Sequence, residues 1–422
     1  MRATLVCALA PFFLRDFLFF IHNRKASFGS FRTMEPRAVS GDAGEMEVFV
    51  RPESAQYKAF GRPRNDLVLR VIENKAEGRA LERIPVWFMR QAGRYLPEYR
   101  QMRSKHDFFE MCQDANLSSE VTIMPLKRFP CDMLVVFSDI LIVFVAMGIS
   151  ITFIESVGPT FDQRVTSFEE FQRVSLPLEE VIKNLHYVYD AINLTKQKIN
   201  NAVPILGFAG SPFTLFTYLT KNNKRTYEDS IRMIYECPED VHKILGKLSD
   251  VCVSHLVNQI DSGANVVQLF DSNADVIDTH LFAHFSLFYI KRVVNTVKKL
   301  RPHAFIILFL KENFHPDVKH LHIDVLSITH KQLAMNSSSF FYNLFDGKII
   351  LQGALDPHIM LLQDEELVSQ HTSQMINQIR HTNKYIANLG HGMLPGSRVE
   401  NVRAFIRAVG AHLPARGERH GG

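Results

Sequence analysis

The spacing of apolar positions becomes regular at Asn65 and stays regular to Val409. Within that span, short runs of apolar and β-branched residues alternate with longer segments whose apolar residues recur at helical spacing. The short runs predict strands at Val86–Met89, Met133–Phe137, Pro204–Phe208, Val266–Phe270, Phe305–Phe309, Asp324–Ile328, Ile349–Leu351 and Tyr385–Asn388. The longer segments predict helices at Asp66–Ile72, Leu178–Asn200, Tyr227–Tyr235, Asp240–Ser262, His284–Leu300, Leu367–Ile379 and Asn401–Val409. Ser167-Phe-Glu-Glu170 reads as a capping box and Pro238 as a helix boundary. Strands alternating with helices in one span predict an α/β fold, a single-domain (β/α)8 TIM barrel. A doubly wound open sheet shares the local pattern. No G-x-G-x-x-G or P-loop follows any strand, so its nucleotide-binding versions lose support.

The barrel is expected over residues 56–415, with a loose tail at 416–422. Residues 1–55 predict an N-terminal extension. Its apolar runs Leu5–Leu14 and Phe17–Ile21 are split by Arg15-Asp16, which disfavours a membrane span. Three readings of the extension stand: a disordered segment, organellar targeting by residues 1–33, or a stretch upstream of a working start at Met34.

Composition narrows the class. A 46% hydrophobic and 22% charged chain of 422 residues buries a large core, as soluble globular proteins do. A formal net charge of +4 argues against a nucleic-acid partner but leaves room for a local basic pocket. The cysteines (Cys7, Cys112, Cys131, Cys237, Cys252) are scattered and never spaced C-x-x-C. That spacing suits a reducing compartment and gives neither a zinc nor a disulfide framework; the expected localisation is cytoplasmic, with no membrane partner.

In a barrel of this kind, functional groups stand where strands end at the C-terminal face. The first predicted strand delivers Arg90 and Arg94, around the flexible Gln91-Ala92-Gly93. Two guanidiniums at a strand end match carboxylate or phosphate geometry. The next strands deliver Ser138-Asp139, then Ala209-Gly-Ser-Pro212 with Tyr218, then Asp271-Ser272, and the last Gly390-His391-Gly392. Each has a structural alternative: an Asp or Ser after a strand often caps the next helix, and Tyr218 alone would be core. Together they describe a pocket for a polyanion that also holds one buried carboxylate.

The run Pro85-Val-Trp-Phe-Met-Arg-Gln-Ala-Gly-Arg-Tyr-Leu-Pro-Glu-Tyr-Arg100 resembles the N-terminal signature of the uroporphyrinogen decarboxylase family. Phe129–Leu141, Gly207–Tyr218, Gln268–Ser272, Leu351–Pro357 and Tyr385–Gly392 are similar to further motifs of that family, in the same order. The resemblance implies a (β/α)8 barrel, a homodimer, and no metal or organic cofactor. It implies removal of the four acetate carboxyls of uroporphyrinogen III to give coproporphyrinogen III in haem biosynthesis. Asp139 would then be the central acid, facing the pyrrole N–H groups and stabilising the cation formed on protonation of a pyrrole carbon. Arg90, Arg94 and Arg103 would hold substrate carboxylates, with one arginine or a water assisting proton transfer. Ala92 would line the pocket, and Tyr218, Ser272 and His391 would complete the contacts. Nearby arginines are expected to oppose the burial of Asp139 and keep it ionised.

Some stretches depart from the family pattern. Phe144-Val145 stands where a Pro-Gln pair is usual, and Asn273 where histidine is common. Around the sixth strand, Phe309–Phe314 and Val325–Thr329 lack the usual signature, and His330–Asp346 has no clear counterpart. Two other readings are weighed beside the decarboxylase. A corrinoid methyltransferase would need His-x-Cys for zinc, which this chain lacks. A catalytically silent tetrapyrrole-binding barrel has only the 309–346 region in its favour.

Overall fold

The computed structural model describes residues 46–73, 81–154, 158–162, 164–221, 226–379 and 383–412. Residues 1–45 of the expected extension, and the expected tail, lie outside the described residues.

After β1 (Leu134–Val135) comes a separate antiparallel pair, β2 (Ile151–Ile154) and β3 (Gly158–Phe161). The remaining strands are β4 (Ile205–Gly210), β5 (Val266–Asp271), β6 (Phe305–Leu310), β7 (Val325–Ser327), β8 (Ile350–Leu355) and β9 (Tyr385–Leu389). They continue from β1 as one curled parallel sheet, each strand beside the next in the order β1-β4-β5-β6-β7-β8-β9. Its edges meet at Val86, which forms a parallel bridge with Ala387 of β9. The Ala387 N–H donates to the Pro85 carbonyl at 2.9 Å, and the Asp132 N–H donates to the Val86 carbonyl at 2.8 Å. The expected strand Val86–Met89 is therefore one bridge rather than a full strand. Pro85 has no N–H to pair, and the chain turns away at Arg90, whose φ is 58°. With this segment counted first, the order of the predicted (β/α)8 TIM barrel is complete.

The wall is continuous where the sequence marks it least. Val325–Ser327 pairs with Ile307–Phe309 on one side and Ile350–Gln352 on the other. His330–Asp346 forms two short helices, His330–Met335 and Ser338–Leu344, each opened by a side-chain cap from Thr329 or Ser337. The apolar stretch after Asp139 is helical over Ile142–Ala146, and its Phe144 is fully buried, edge-on to Phe161 with ring centroids 5.4 Å apart.

Helix boundaries shift from expectation in physically legible ways. The predicted helix Leu178–Asn200 breaks at Leu185 into Leu178–Asn184 and His186–Lys198. Pro238 sits in the first turn of Pro238–Asp261, where its missing N–H costs nothing. Ser167 accepts from the Glu170 N–H and caps the short helix Phe168–Val174, while the Glu170 carboxylate turns to Thr166.

Period-two alternation sorts each strand into two faces. Leu206, Val266, Ile307, Val325, Ile350 and Ile386 face inward together with Trp87, and helix Leu67–Glu73 adds Val68, Leu69, Val71 and Ile72 to the same cluster. Ile205, Val267, Leu269, Ile306 and Leu308 face the surrounding helices. A polar layer crosses the interior: Trp87 Nε1 donates to Gln352 Oε1 at 2.9 Å, and Gln352 Nε2 donates to Ser327 Oγ at 3.0 Å. Residues 46–55, assigned to the extension by sequence, run along helix Pro238–Asp261, with Phe49 N–H donating to Ser254 Oγ and Arg51 N–H to Asn258 Oδ1. Among the described residues no helix is long and apolar enough to cross a membrane.

Candidate active site

A cavity of about 330 Å³ opens at the C-terminal ends of the strands. Arg90, Ala92, Arg94, Asp139, Ser272 and His391 all line it. Its apolar walls come from Phe208, Phe270 and Phe309, inward positions near the C-terminal ends of three neighbouring strands. A larger open groove of about 930 Å³ lies outside the barrel, among Glu98, Lys127, Arg128, Lys198 and Arg403, and none of the predicted site residues lines it.

The loop carrying Arg90 is held from several sides. Its neighbour Gln91 is buried and donates through Nε2 to the Met133 carbonyl at 3.2 Å. Met89 N–H donates to Asn388 Oδ1 at 3.1 Å, Met393 N–H to the Met89 carbonyl at 2.8 Å, and Tyr95 OH to the Gln91 carbonyl at 2.7 Å. These bonds maintain a left-handed backbone at Arg90, an uncommon conformation for a non-glycine residue. Among the described residues, neither Arg90 nor Arg94 is engaged in an ion pair within 4.0 Å. Both guanidiniums are therefore uncommitted to protein carboxylates.

Asp139 follows β1 and makes a local turn, its Oδ1 accepting from the Leu141 N–H at 2.8 Å. Burial pushes its carboxyl above the usual range, and the Leu141 N–H and the Arg90 guanidinium pull it back only in part. The expected rescue of the charge by arginines is thus partial. Arg90 acts on the carboxyl, and burial outweighs it.

His391 is lowered to about 4, by burial first and then by the positive charges of Arg90, Lys311 and His330. The Gly392 N–H donates to its Nδ1 at 2.8 Å, which leaves the proton of the neutral ring on Nε2. Phe309 stands edge-on to the imidazole, with centroids 5.8 Å apart. His391 is therefore a neutral donor, shaped to meet an anionic oxygen. Gly392 is required for its neighbour: a Cβ there would lie 2.5 Å from Arg90 Cδ.

Tyr218 is not among the residues that line the cavity; it lies on helix Pro212–Thr220, within electrostatic reach of both Asp139 and Arg90, and burial raises its phenol to about 12. It is a neutral donor at any ordinary pH. Ser272 faces the cavity, whereas the preceding Asp271 turns outward and is fully buried. Asp271 accepts from Ser211 and Thr214 at 2.7 Å each and from Ser286 at 2.5 Å. It thereby ties β5 to the helix that carries Tyr218. Arg103 is not brought into the cavity wall: its guanidinium donates to the His106 carbonyl.

Residues 64–412 match the family model described as uroporphyrinogen decarboxylase. The chain belongs to the uroporphyrinogen decarboxylase family. It is 38% identical over 361 residues to the uroporphyrinogen decarboxylase of Danio rerio, covering 84% of this chain and 95% of that one. The Homo sapiens uroporphyrinogen decarboxylase is 36% identical over 364 residues, covering 84% of this chain and 96% of the relative. The bacterial one of Chloroherpeton thalassium is 37% identical over 348 residues, covering 81% and 96% respectively. Among solved structures, a methyltransferase from Methanosarcina mazei superposes with a TM-score of 0.68 at 14% identity, over 83% of this chain and 98% of that one. At that identity the likeness concerns the barrel alone. The uroporphyrinogen decarboxylase family thus gives the frame in which the cavity at Asp139 is read.

The cavity also contains groups that the sequence did not single out. Gln91, Tyr99 and Phe108 line it beside the arginine loop, and Met393, Leu394 and Pro395 close the side beyond His391. The inward phenylalanines stand in apolar runs that do not mark which face turns inward. The 393–395 segment follows a predicted strand exit without any motif of its own, and its Met393 N–H donates to the Met89 carbonyl.

Proposed function

We propose that this chain is a uroporphyrinogen decarboxylase, a carboxy-lyase that converts uroporphyrinogen III to coproporphyrinogen III and four CO2 without a cofactor. The observation that carries this reading is the convergence of Asp139, Arg90, Arg94, Ser272 and His391 on one cavity at the barrel mouth. It is supported by family membership and by relatives bearing that activity as their name.

The chemistry follows from the residues. A pyrrole acetate loses CO2 only if the electron pair of the breaking C–C bond has somewhere to go. Protonating a ring carbon creates a cation that accepts that pair. CO2 then departs, a proton adds to the methylene carbon to make a methyl group, and the ring proton is given back. The net change per acetate is one proton taken up and one CO2 lost. Asp139, fixed near the ring nitrogens in a cavity of low polarity, stabilises the cation more than water would. Arg90 and Arg94 grip carboxylates, while the neutral His391 and Tyr218 donate to further oxygens without adding charge. Asp139 enters this cycle as the anion, a form favoured by the Leu141 N–H, the Arg90 guanidinium and the pyrrole N–H groups that donate to it. The working form is a homodimer, which light scattering of the purified protein checks, and its site of action is the cytoplasm, which fractionation of the source cells checks.

The test is incubation of purified protein with uroporphyrinogen, followed by chromatography of the oxidised porphyrins. Stepwise appearance of seven-, six-, five- and four-carboxyl products is expected. Tight binding without carboxyl loss would instead identify a catalytically silent barrel.

A further inference from the structure

Ser138 lies between Phe137 and Asp139 in the cavity wall. Its Oγ is buried and has no hydrogen-bond partner. The strand exit around it is held entirely by other groups. Phe137 N–H donates to Thr122 Oγ1 at 2.8 Å, Ser118 Oγ donates to the Phe137 carbonyl at 2.7 Å, and Leu141 N–H donates to Asp139. Four buried hydroxyls nearby are committed: Ser211, Thr214 and Ser286 to Asp271, and Thr217 to the Thr214 carbonyl at 2.8 Å. A buried hydroxyl without a partner is a standing cost to the fold. If Ser138 served only to fill space, alanine would serve better.

We propose that Ser138 is a substrate-binding residue whose hydroxyl donates to a carboxylate of the pyrrole ring that faces Asp139. The inference rests on the uroporphyrinogen decarboxylase reading and adds a contact to it. The assignment follows from what each partner can offer. Beside Asp139 the substrate presents pyrrole N–H groups, which a carboxylate takes, and carboxylate oxygens, which only accept. An O–H next to Asp139 matches the second kind. Rotation about the Cα–Cβ bond between staggered positions turns Oγ into the cavity, and the bonds that hold Phe137 and Asp139 are untouched by that rotation. The hydroxyl is thus unpaired in the free protein and paired in the complex.

The test compares wild type, Ser138→Ala and Ser138→Thr in two measurements: kcat/KM for uroporphyrinogen, and the melting temperature of the ligand-free protein. Ser138→Ala should lose roughly ten- to a hundred-fold in kcat/KM, the range of one hydrogen bond to a charged group, while melting at or above the wild-type temperature. Ser138→Thr, which keeps a hydroxyl, should recover most of the lost rate. A Ser138→Ala protein within twofold of wild-type kcat/KM overturns the inference. So does a rate loss matched by a lowered melting temperature, the mark of a hydroxyl already paired in the free fold. Absence of turnover in wild type removes the functional reading itself, and this contact with it; wild-type turnover with an indifferent Ser138→Ala removes only the contact.

Discussion

The Arg90 side chain lies against the bare Cα of Gly392, where an added Cβ would come within 2.5 Å of Arg90 Cδ and 2.9 Å of its Nε. The clash falls on a flexible arm, not on backbone. Gly392→Ala should therefore fold normally and displace the guanidinium that Asp139 and His391 both feel. The expected outcome is a loss of roughly tenfold or more in kcat/KM for uroporphyrinogen, with a melting temperature within a few degrees of wild type. An unchanged kcat/KM would mean that the position of Arg90 is immaterial.

Asp139 lets charge and shape be separated. Burial raises its carboxyl, so the folded state holds the proton more tightly than the unfolded chain does. Stability on this account falls as pH rises from the unfolded value, about 3.9, through the folded one. Asn at this position keeps an acceptor for the Leu141 N–H and has no charge to bury. Asp139→Asn should thus melt at or above wild type at pH 7 and lose at least about a thousand-fold in turnover. Asp139→Ala should be as inactive and still folded. Asp139→Glu should be poor, since the extra methylene pushes the carboxylate toward the ring nitrogens. Substantial turnover by Asp139→Asn would remove the cation-stabilising role.

His391 has the opposite sign. Its folded value is about 4, set by burial and then by Arg90, Lys311, and His330, with Asp275 alone working the other way. The unfolded value is about 6.5. Below that, the unfolded chain binds the extra proton first, so stability contributed by the neutral ring is complete above about pH 6.5 and is lost as pH falls toward 4. The buried His255, lowered to about 3 by burial, adds to the same slope. His391→Asn should flatten melting temperature against pH between those limits, and His391→Asn with His255→Gln should flatten it further. In NMR, the His391 ring should stay neutral to about pH 4. A His391 resonance titrating near 6.5 would refute this.

Taking the exit of each predicted strand made much of the site legible: Arg90 and Arg94, Asp139, Ser272 and His391 all stand at the cavity. The barrel itself followed from strands whose apolar runs recur in order. Three features were not legible. The first strand shrinks to a bridge because closure, not local propensity, decides how many residues pair with Ala387. The break at Leu185 carries no Gly or Pro to mark it in the sequence. Arg103 came into the site through motif resemblance, yet its guanidinium serves the His106 carbonyl. Nor can a sequence reveal that Ser138, unlike Ser118 a few turns earlier, lacks a partner.

Asp271 tests whether the site depends on the layer behind it. The carboxylate is fully buried and accepts three hydroxyl hydrogen bonds, which partly offset the upward push of burial on its carboxyl. Removing one donor in Ser286→Ala should cost about 1–3 kcal/mol, the penalty of leaving a buried polar group short of a partner. Removing the carboxylate in Asp271→Ala strands Ser211, Thr214 and Ser286 at once and should cost about 3 kcal/mol or more. The two losses should not add, because they break the same network. Since Ser272 follows directly and helix Pro212–Thr220 carries Tyr218, the Ser286→Ala protein should show a raised KM with kcat nearly preserved. Urea midpoints and steady-state kinetics measure both. A Ser286→Ala midpoint equal to wild type, or a fall in kcat without change in KM, would show that this network does not position the substrate contacts.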